Sequence, residues 1–93
     1  MLINMKTLVV NCRKERYDVY IGRPSIFGNP FREGSRTQVI DQYRQYFQDR
    51  IKNDPVFRKA VLSLRGKILG CFCAPRPCHG DVIVDWIENE DET

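Results

Sequence analysis

Lys67-Ile-Leu-Gly-Cys-Phe-Cys-Ala-Pro-Arg-Pro-Cys-His-Gly-Asp-Val-Ile-Val-Asp-Trp-Ile87 passes through three local structures in one run. Lys67 to Phe72 is short and apolar and reads as a buried strand. Ala74 to Cys78 carries two prolines and reads as a turn. Gly80 or Asp81 then opens a short helix whose buried side is Val82, Ile83, Trp86 and Ile87. Strand, loop and helix in succession are the parts of an α/β layer, so the strand needs a partner upstream.

Thr7-Leu-Val-Val-Asn-Cys12 supplies one, being short, β-branched and apolar. Tyr17 to Ile21 alternates well enough to be a further strand. The short polar link Arg13 to Arg16 predicts that these two pair as a hairpin. Gly22 to Phe31 has too many glycines and prolines for a helix or a central strand and reads as an ordered loop. Helical spacing follows in Val39, Ile40, Tyr43, Phe47 and Ile51. Ser35 with Gln38 forms a capping-box pattern at its start, Thr37 is an alternative cap, and the helix ends near Asn53. Asp54-Pro55 restarts a helix with the stripe Phe57, Val61 and Leu64, which Gly66 terminates.

The predicted order is β-β-α-α-β-α, a small layered α/β fold of about three strands forming a single domain over residues 1–93. The helical crossover places the last strand parallel to the first. Ligands of open α/β sheets bind beyond the carboxyl ends of strands. That edge gathers Asn11 to Arg13, the Arg23–Phe31 loop and the Cys73–Asp81 loop.

Composition agrees with one globular domain: 93 residues, 42% hydrophobic and 29% charged. No apolar run nears the roughly 18 residues of a membrane span, and Met1 to Lys6 lacks the core of a signal peptide, so the expected address is the cytoplasm and no membrane partner is expected. The formal charge is +3, but six of the 12 acids fall in residues 81–93. The remaining 80 residues carry all 15 bases against six acids, and the terminus 88–93 is an acidic tail. A basic body rich in Arg suits an anionic partner. A chain this short would also gain from forming a homodimer.

Without an export signal, four cysteines do not argue for disulfides. Cys71, Cys73 and Cys78 fall close together and precede His79, the sole histidine. Three readings stay open. Cys71, Cys73, Cys78 and His79 are a candidate Cys3His zinc set, although the spacing is tighter than zinc sites usually show. Alternatively Cys78 or Cys73 is an activated thiol beside His79, with Cys78, His79 and Asp81 the candidate catalytic groups. Lastly, the cysteines pack as small hydrophobes. In the other loop, Arg23, Ser25, Gly28, Asn29 and Phe31 surround a rigid turn that can aim backbone N–H groups and an amide at a ligand. Arg36 at the helix entrance meets the dipole unfavourably, which a bound anion would offset. The Tyr and Arg residues near Tyr17 and Tyr43 raise direct nucleic-acid binding as a lesser reading.

Arg13, Tyr20-Ile-Gly-Arg23, Gly28-Asn-Pro-Phe31, Gly34-Ser-Arg36, Leu64-Arg-Gly-Lys67 and Cys71 to Asp81 stand in the order of a small domain family of unknown function from bacteriophages and bacteria, which this chain resembles over residues 8–88. The resemblance implies that these loops form one site and implies no activity. A weaker similarity links it to another α/β family in which a strand-end Cys precedes Cys-His-Arg at a helix start. There the middle Cys is often Glu, which favours an anion or nucleotide pocket over zinc. The expected function is therefore a phage-associated domain binding a small phosphorylated ligand such as a nucleotide. The expected ligand-binding residues are Asn11, Arg13, Arg23, Ser25, Gly28, Asn29, Phe31, Arg36, Cys73, His79 and Asp81. A zinc-stabilised module contacting nucleic acid or an acidic protein, and an enzyme with a Cys/His site acting on a nucleotide-like substrate, are the alternatives.

Overall fold

Ser35 and Asp54 set the helical half of the chain. The Ser35 hydroxyl accepts from the Gln38 N–H at 3.2 Å while the Gln38 side chain accepts from the Ser35 N–H at 2.8 Å, a closed capping box. The Asp54 carboxylate accepts from the Phe57 N–H at 3.1 Å, with Pro55 at the first helical position. The computed structural model describes residues 6–89, so most of the acidic tail lies outside the described residues. Its elements are β1 (Leu8–Asn11), β2 (Val19–Tyr20), α1 (Arg36–Asn53), α2 (Pro55–Leu62), β3 (Ile68–Cys71) and α3 (His79–Asn89). This is the mixed α/β class in the predicted β-β-α-α-β-α order.

The sheet order is β1-β3-β2, with both outer strands parallel to β3. The parallel pairing of the first and last strands is as the crossover predicts, Leu8 lying opposite Ile68 and Asn11 opposite Cys71. The expected hairpin does not form. β3 lies between β1 and β2, and the chain after β1 must return to the start of β3 before β2 can begin. Gly70 makes the return possible. A Cβ there would stand 2.6 Å from Cγ of Tyr17, so the Tyr17 ring crosses β3 only because glycine leaves the space. Asp18 then fixes the register: its N–H donates to the Ile68 carbonyl at 2.7 Å and its carboxylate accepts from the Ile68 N–H at 2.8 Å.

Side-chain alternation separates the sheet faces. Leu69 and Cys71 are buried in the core, whereas Leu8 and Phe72 are exposed. The core joins Ile21, Leu69 and Cys71 to Tyr43 and Phe47 of α1, Phe57 and Val61 of α2, and Val82, Ile83 and Ile87 of α3. The aromatic edges of Phe47 and Phe57 and of Phe47 and Trp86 meet at centroid distances of 5.8 and 6.0 Å, locking the helices together. α3 begins at His79, one residue earlier than the first predicted start, because Cys78 supplies its cap.

Gly80 sets how closely α3 approaches the sheet. A Cβ at this position would lie 2.9 Å from Ile21 Cδ1 and 3.1 Å from both Val9 methyls, and Ile21 is fully buried in the core. Gly80→Ala is therefore expected to destabilise the fold by about 1–2 kcal/mol despite the better helix propensity of Ala. Urea denaturation checks this; an unchanged midpoint would show that α3 has slack against β1.

Candidate functional site

The chain leaves the carboxyl ends of all three strands into the segments that build one cleft. From β1, Asn11 acts as a clip: its Oδ1 accepts from the Arg13 N–H at 2.9 Å, and its Nδ2 donates to the carbonyls of Phe72 at 3.3 Å and Ala74 at 3.0 Å. The Arg13 guanidinium lies over the Phe72 ring, 4.8 Å from its centroid. These two residues hold the cysteine loop in place and do not line the cavity.

From β2 the chain folds back on itself in successive turns. Ser25 N–H donates to the Gly22 carbonyl at 2.9 Å, and Gly28 N–H to the Ser25 carbonyl at 3.0 Å. The Ser25 hydroxyl accepts from the Phe27 N–H at 3.2 Å. A Cβ on Gly28 would reach the Arg23 backbone at 3.1 Å, so this closure needs glycine. Asn29 is buried: its Nδ2 donates to the Val39 carbonyl at 3.1 Å and its Oδ1 accepts from the Phe31 N–H at 2.9 Å. The Asn29 amide thus fastens the loop to α1, and its carbonyl receives Arg23 Nε at 2.6 Å. The expected ligand contacts at Ser25 and Gly28 fall within the turn and outside the cavity wall.

From β3 the cysteine loop turns into α3. Cys78 N–H donates to the Asp81 carboxylate at 3.1 Å, while Gly80 N–H donates to Cys78 Sγ at 3.3 Å. Half of the Ser35 and Gln38 box recurs, the Asp81 side chain reaching back to the Cys78 N–H, while the thiol accepts from the Gly80 N–H. Asp81 caps and does not line the cavity. The Cys71 and Cys78 sulfurs are 3.3 Å apart and both residues are buried. The Cys78 hydrogen bond, helped by the N–H groups of Ala74 and Cys73, lowers the Cys71 pKa to about 6 against the cost of burial. The same hydrogen bond and burial push Cys78 up.

His79 is buried and places Nε2 2.8 Å from the Ile21 carbonyl. A carbonyl only accepts, so Nε2 carries the proton of the neutral ring and Nδ1 is its lone-pair nitrogen. The ring meets Tyr43 edge-on at 5.1 Å, and Tyr43 Oη donates to the Phe27 carbonyl at 2.8 Å. Burial, followed by the Arg23 charge, lowers the His79 pKa despite the Ile21 contact and Asp81.

The resulting cavity of about 380 Å3 is walled by Tyr20, Gly22, Arg23, Asn29, Phe31, Arg36, Val39, Ile40, Cys71, Phe72, Cys73, Pro77, Cys78 and His79. A second cleft, also about 380 Å3, shares Arg23, Phe31, Arg36 and Val39 with it and adds Arg32 and Gly34. Arg36 bridges the loops by donating Nη1 to the Pro77 carbonyl at 3.2 Å. Of the predicted ligand residues, Arg23, Asn29, Phe31, Arg36, Cys73 and His79 meet at this cleft. Arg32 was not foreseen, although it sits between two arginines already singled out. Tyr20 and Phe72 were read as strand residues, and only the sheet order brings them to the wall.

Neither cleft is lined by Asp or Glu. α1 starts here with no acid in its first turn, so three guanidiniums and a helix N-terminus face one space. Among the described residues no group of three or more His, Cys, Asp or Glu is arranged to hold a metal ion. Nε2 of His79 donates to the Ile21 carbonyl, so only Nδ1 could join a Cys3His set. Among the same residues no helix is long and apolar enough to cross a membrane.

The profile of a family described as "Domain of unknown function (DUF4326)" matches residues 6–89. A protein of Enterobacteria phage T4, described as "Uncharacterized 12.4 kDa protein in nrdA-td intergenic region", is 42% identical over 77 residues, spanning 81% of this chain and 71% of its own. No solved structure matches.

Because His79 binds a proton more weakly folded than unfolded, acid favours unfolding: its share of stability is present above its ordinary pKa near 6.5 and is lost as the pH falls from there through the lowered pKa of the folded state. Cys71 works in the same direction between the ordinary thiol range and about 6. The melting temperature should therefore fall from about pH 7.5 to about pH 5, with a shallower slope in His79→Gln, which keeps a donor for Ile21 without the titration. Equal slopes in the two proteins would remove His79 from this account.

Proposed function

The chain belongs to the DUF4326 family, and from that premise we propose that it binds a small phosphorylated ligand of nucleotide type in the two-lobed cleft at the carboxyl edge of the sheet. The observation that carries this reading is the shared pair Arg23 and Arg36, which joins an aromatic chamber to a mouth with Arg32. Carbonyls steer Arg23 and Arg36 but neutralise neither, and the ion pair of Arg50 with Asp54 lies away from the cleft. Guanidiniums placed without acids suit phosphate oxygens, which they bind in bidentate fashion. Tyr20, Phe31 and Phe72 offer aromatic surface for a planar group beside them. Neutral His79 contributes a lone-pair nitrogen at the wall.

On this reading the domain works in the cytoplasm of a phage-infected or bacterial cell, where such ligands are found. A zinc-stabilised interaction module is the lesser reading, because no group of three or more His, Cys, Asp or Glu among the described residues is arranged to hold a metal ion.

Calorimetric titration with ADP, ATP and pyrophosphate tests the proposal. Saturable binding that weakens with added salt is expected. Arg32 is exposed and is not needed by any described turn or cap, so Arg32→Ala should keep the fold and lower affinity about tenfold. Arg36→Ala should lower it at least as much. Absence of saturation with every probe, or unchanged affinity in both variants, overturns the reading.

A further inference from the structure

Cys71 ends β3 and Cys78 caps α3, yet their sulfurs stand 3.3 Å apart and both residues line the cavity. Each sulfur also has backbone donors beside it. Cys78 Sγ receives the Gly80 N–H at 3.3 Å, and the Cys71 sulfur lies at the strand end beside the backbone N–H groups of Cys73 and Ala74, which favour its thiolate. Cysteines that merely fill space need none of these contacts. Both thiols are free, and a bond length of about 2.05 Å requires an approach of only a little over 1 Å.

We propose that Cys71 and Cys78 are a redox-active dithiol in the wall of the cavity, closed to an intramolecular disulfide by a small hydroperoxide such as hydrogen peroxide. Cys71 is the attacking sulfur, because the Cys78 thiol 3.3 Å away keeps the shared proton and so favours a thiolate on Cys71. Its sulfur takes one peroxide oxygen as the O–O bond breaks. The departing hydroxide gains a proton to become water, and Cys71 becomes a sulfenic acid. Cys78 Sγ then attacks the Cys71 sulfur. The S–S bond forms, the S–O bond breaks, and the second hydroxide leaves as water with the Cys78 proton. Two thiols lose two electrons and two protons, and one peroxide becomes two waters. The small oxidant follows from burial: Cys71 is 1% and Cys78 2% exposed, so a bulky disulfide reagent cannot reach either sulfur. Closure draws the α3 cap towards β3, so the oxidised protein presents an altered cavity wall. The step requires no bound ligand and stands apart from the binding proposal.

Reduced protein treated with hydrogen peroxide tests this by tandem mass spectrometry. The expected product has lost about 2 Da, carries a Cys71–Cys78 bridge, and leaves Cys12 and Cys73 open to alkylation. In Cys78→Ser the reaction should stop at a sulfenic acid on Cys71, trapped by dimedone; if that variant does not fold, mapping of the natural chain decides. A bridge to Cys73, a first sulfenic acid on Cys78, or thiols that stay reduced while free cysteine is oxidised would overturn the proposal. Stoichiometric zinc that must be chelated before peroxide acts would overturn it too.

Discussion

The contact between His79 and the Ile21 carbonyl holds the site together. It joins the end of β2 to the first residue of α3 inside the core, where an unpaired carbonyl or imidazole would be costly. Tyr43 extends it, packing its ring edge-on against His79 and sending its hydroxyl to the Phe27 carbonyl. The burial that raises the Tyr43 phenol well above its ordinary range keeps that hydroxyl a donor. Two loops remote in sequence are thus tied to α1 by neutral polar groups. A protonated His79 would bring a second positive charge into the same space as Arg23, and that repulsion adds to burial in keeping the imidazole neutral.

Local chemistry was legible where one or two residues determine it. Ser35 with Gln38 and Asp54 with Pro55 specify helix starts through hydrogen bonds spanning three residues, and the structure forms them as read. The convergence of loops on one edge followed from the parallel pairing of β1 and β3, itself a consequence of the helical crossover. The hairpin reading failed because strand order depends on contacts across the chain. The Tyr17 ring over Gly70 and the Asp18 carboxylate on Ile68 link residues that no local window joins. In the site, Asn11, Ser25, Gly28 and Asp81 were singled out for being unusual, and each proves to build a turn or cap. Polar residues in rigid loops serve the backbone as often as a ligand, and sequence does not separate the two uses. Arg32 shows the converse, since an exposed loop arginine looks like solvated surface until its neighbours are placed.

The uneven distribution of charge takes on a spatial meaning through the direction of α3. That helix begins at the cleft and runs away from it for 11 residues, about 16 Å. Asp85 and Glu88 are carried off with it, and Asp81, the acid nearest the cavity, is turned onto the Cys78 N–H. The basic loops gather at the opposite end, where α1 and α3 both present their N-termini. Topology rather than sequence proximity thus brings three of the arginines, Arg23, Arg32 and Arg36, together beside the cavity. The same arrangement explains how the wall accommodates a low-pKa thiol. Cys71 lies at the end of its strand among N–H donors, on the side of the molecule from which α3 withdraws its acids, and a thiolate there meets partial positive charge. An anion bound near Arg23 and Arg36, as proposed, would share the cavity wall with Cys71, and its charge would disfavour the thiolate there.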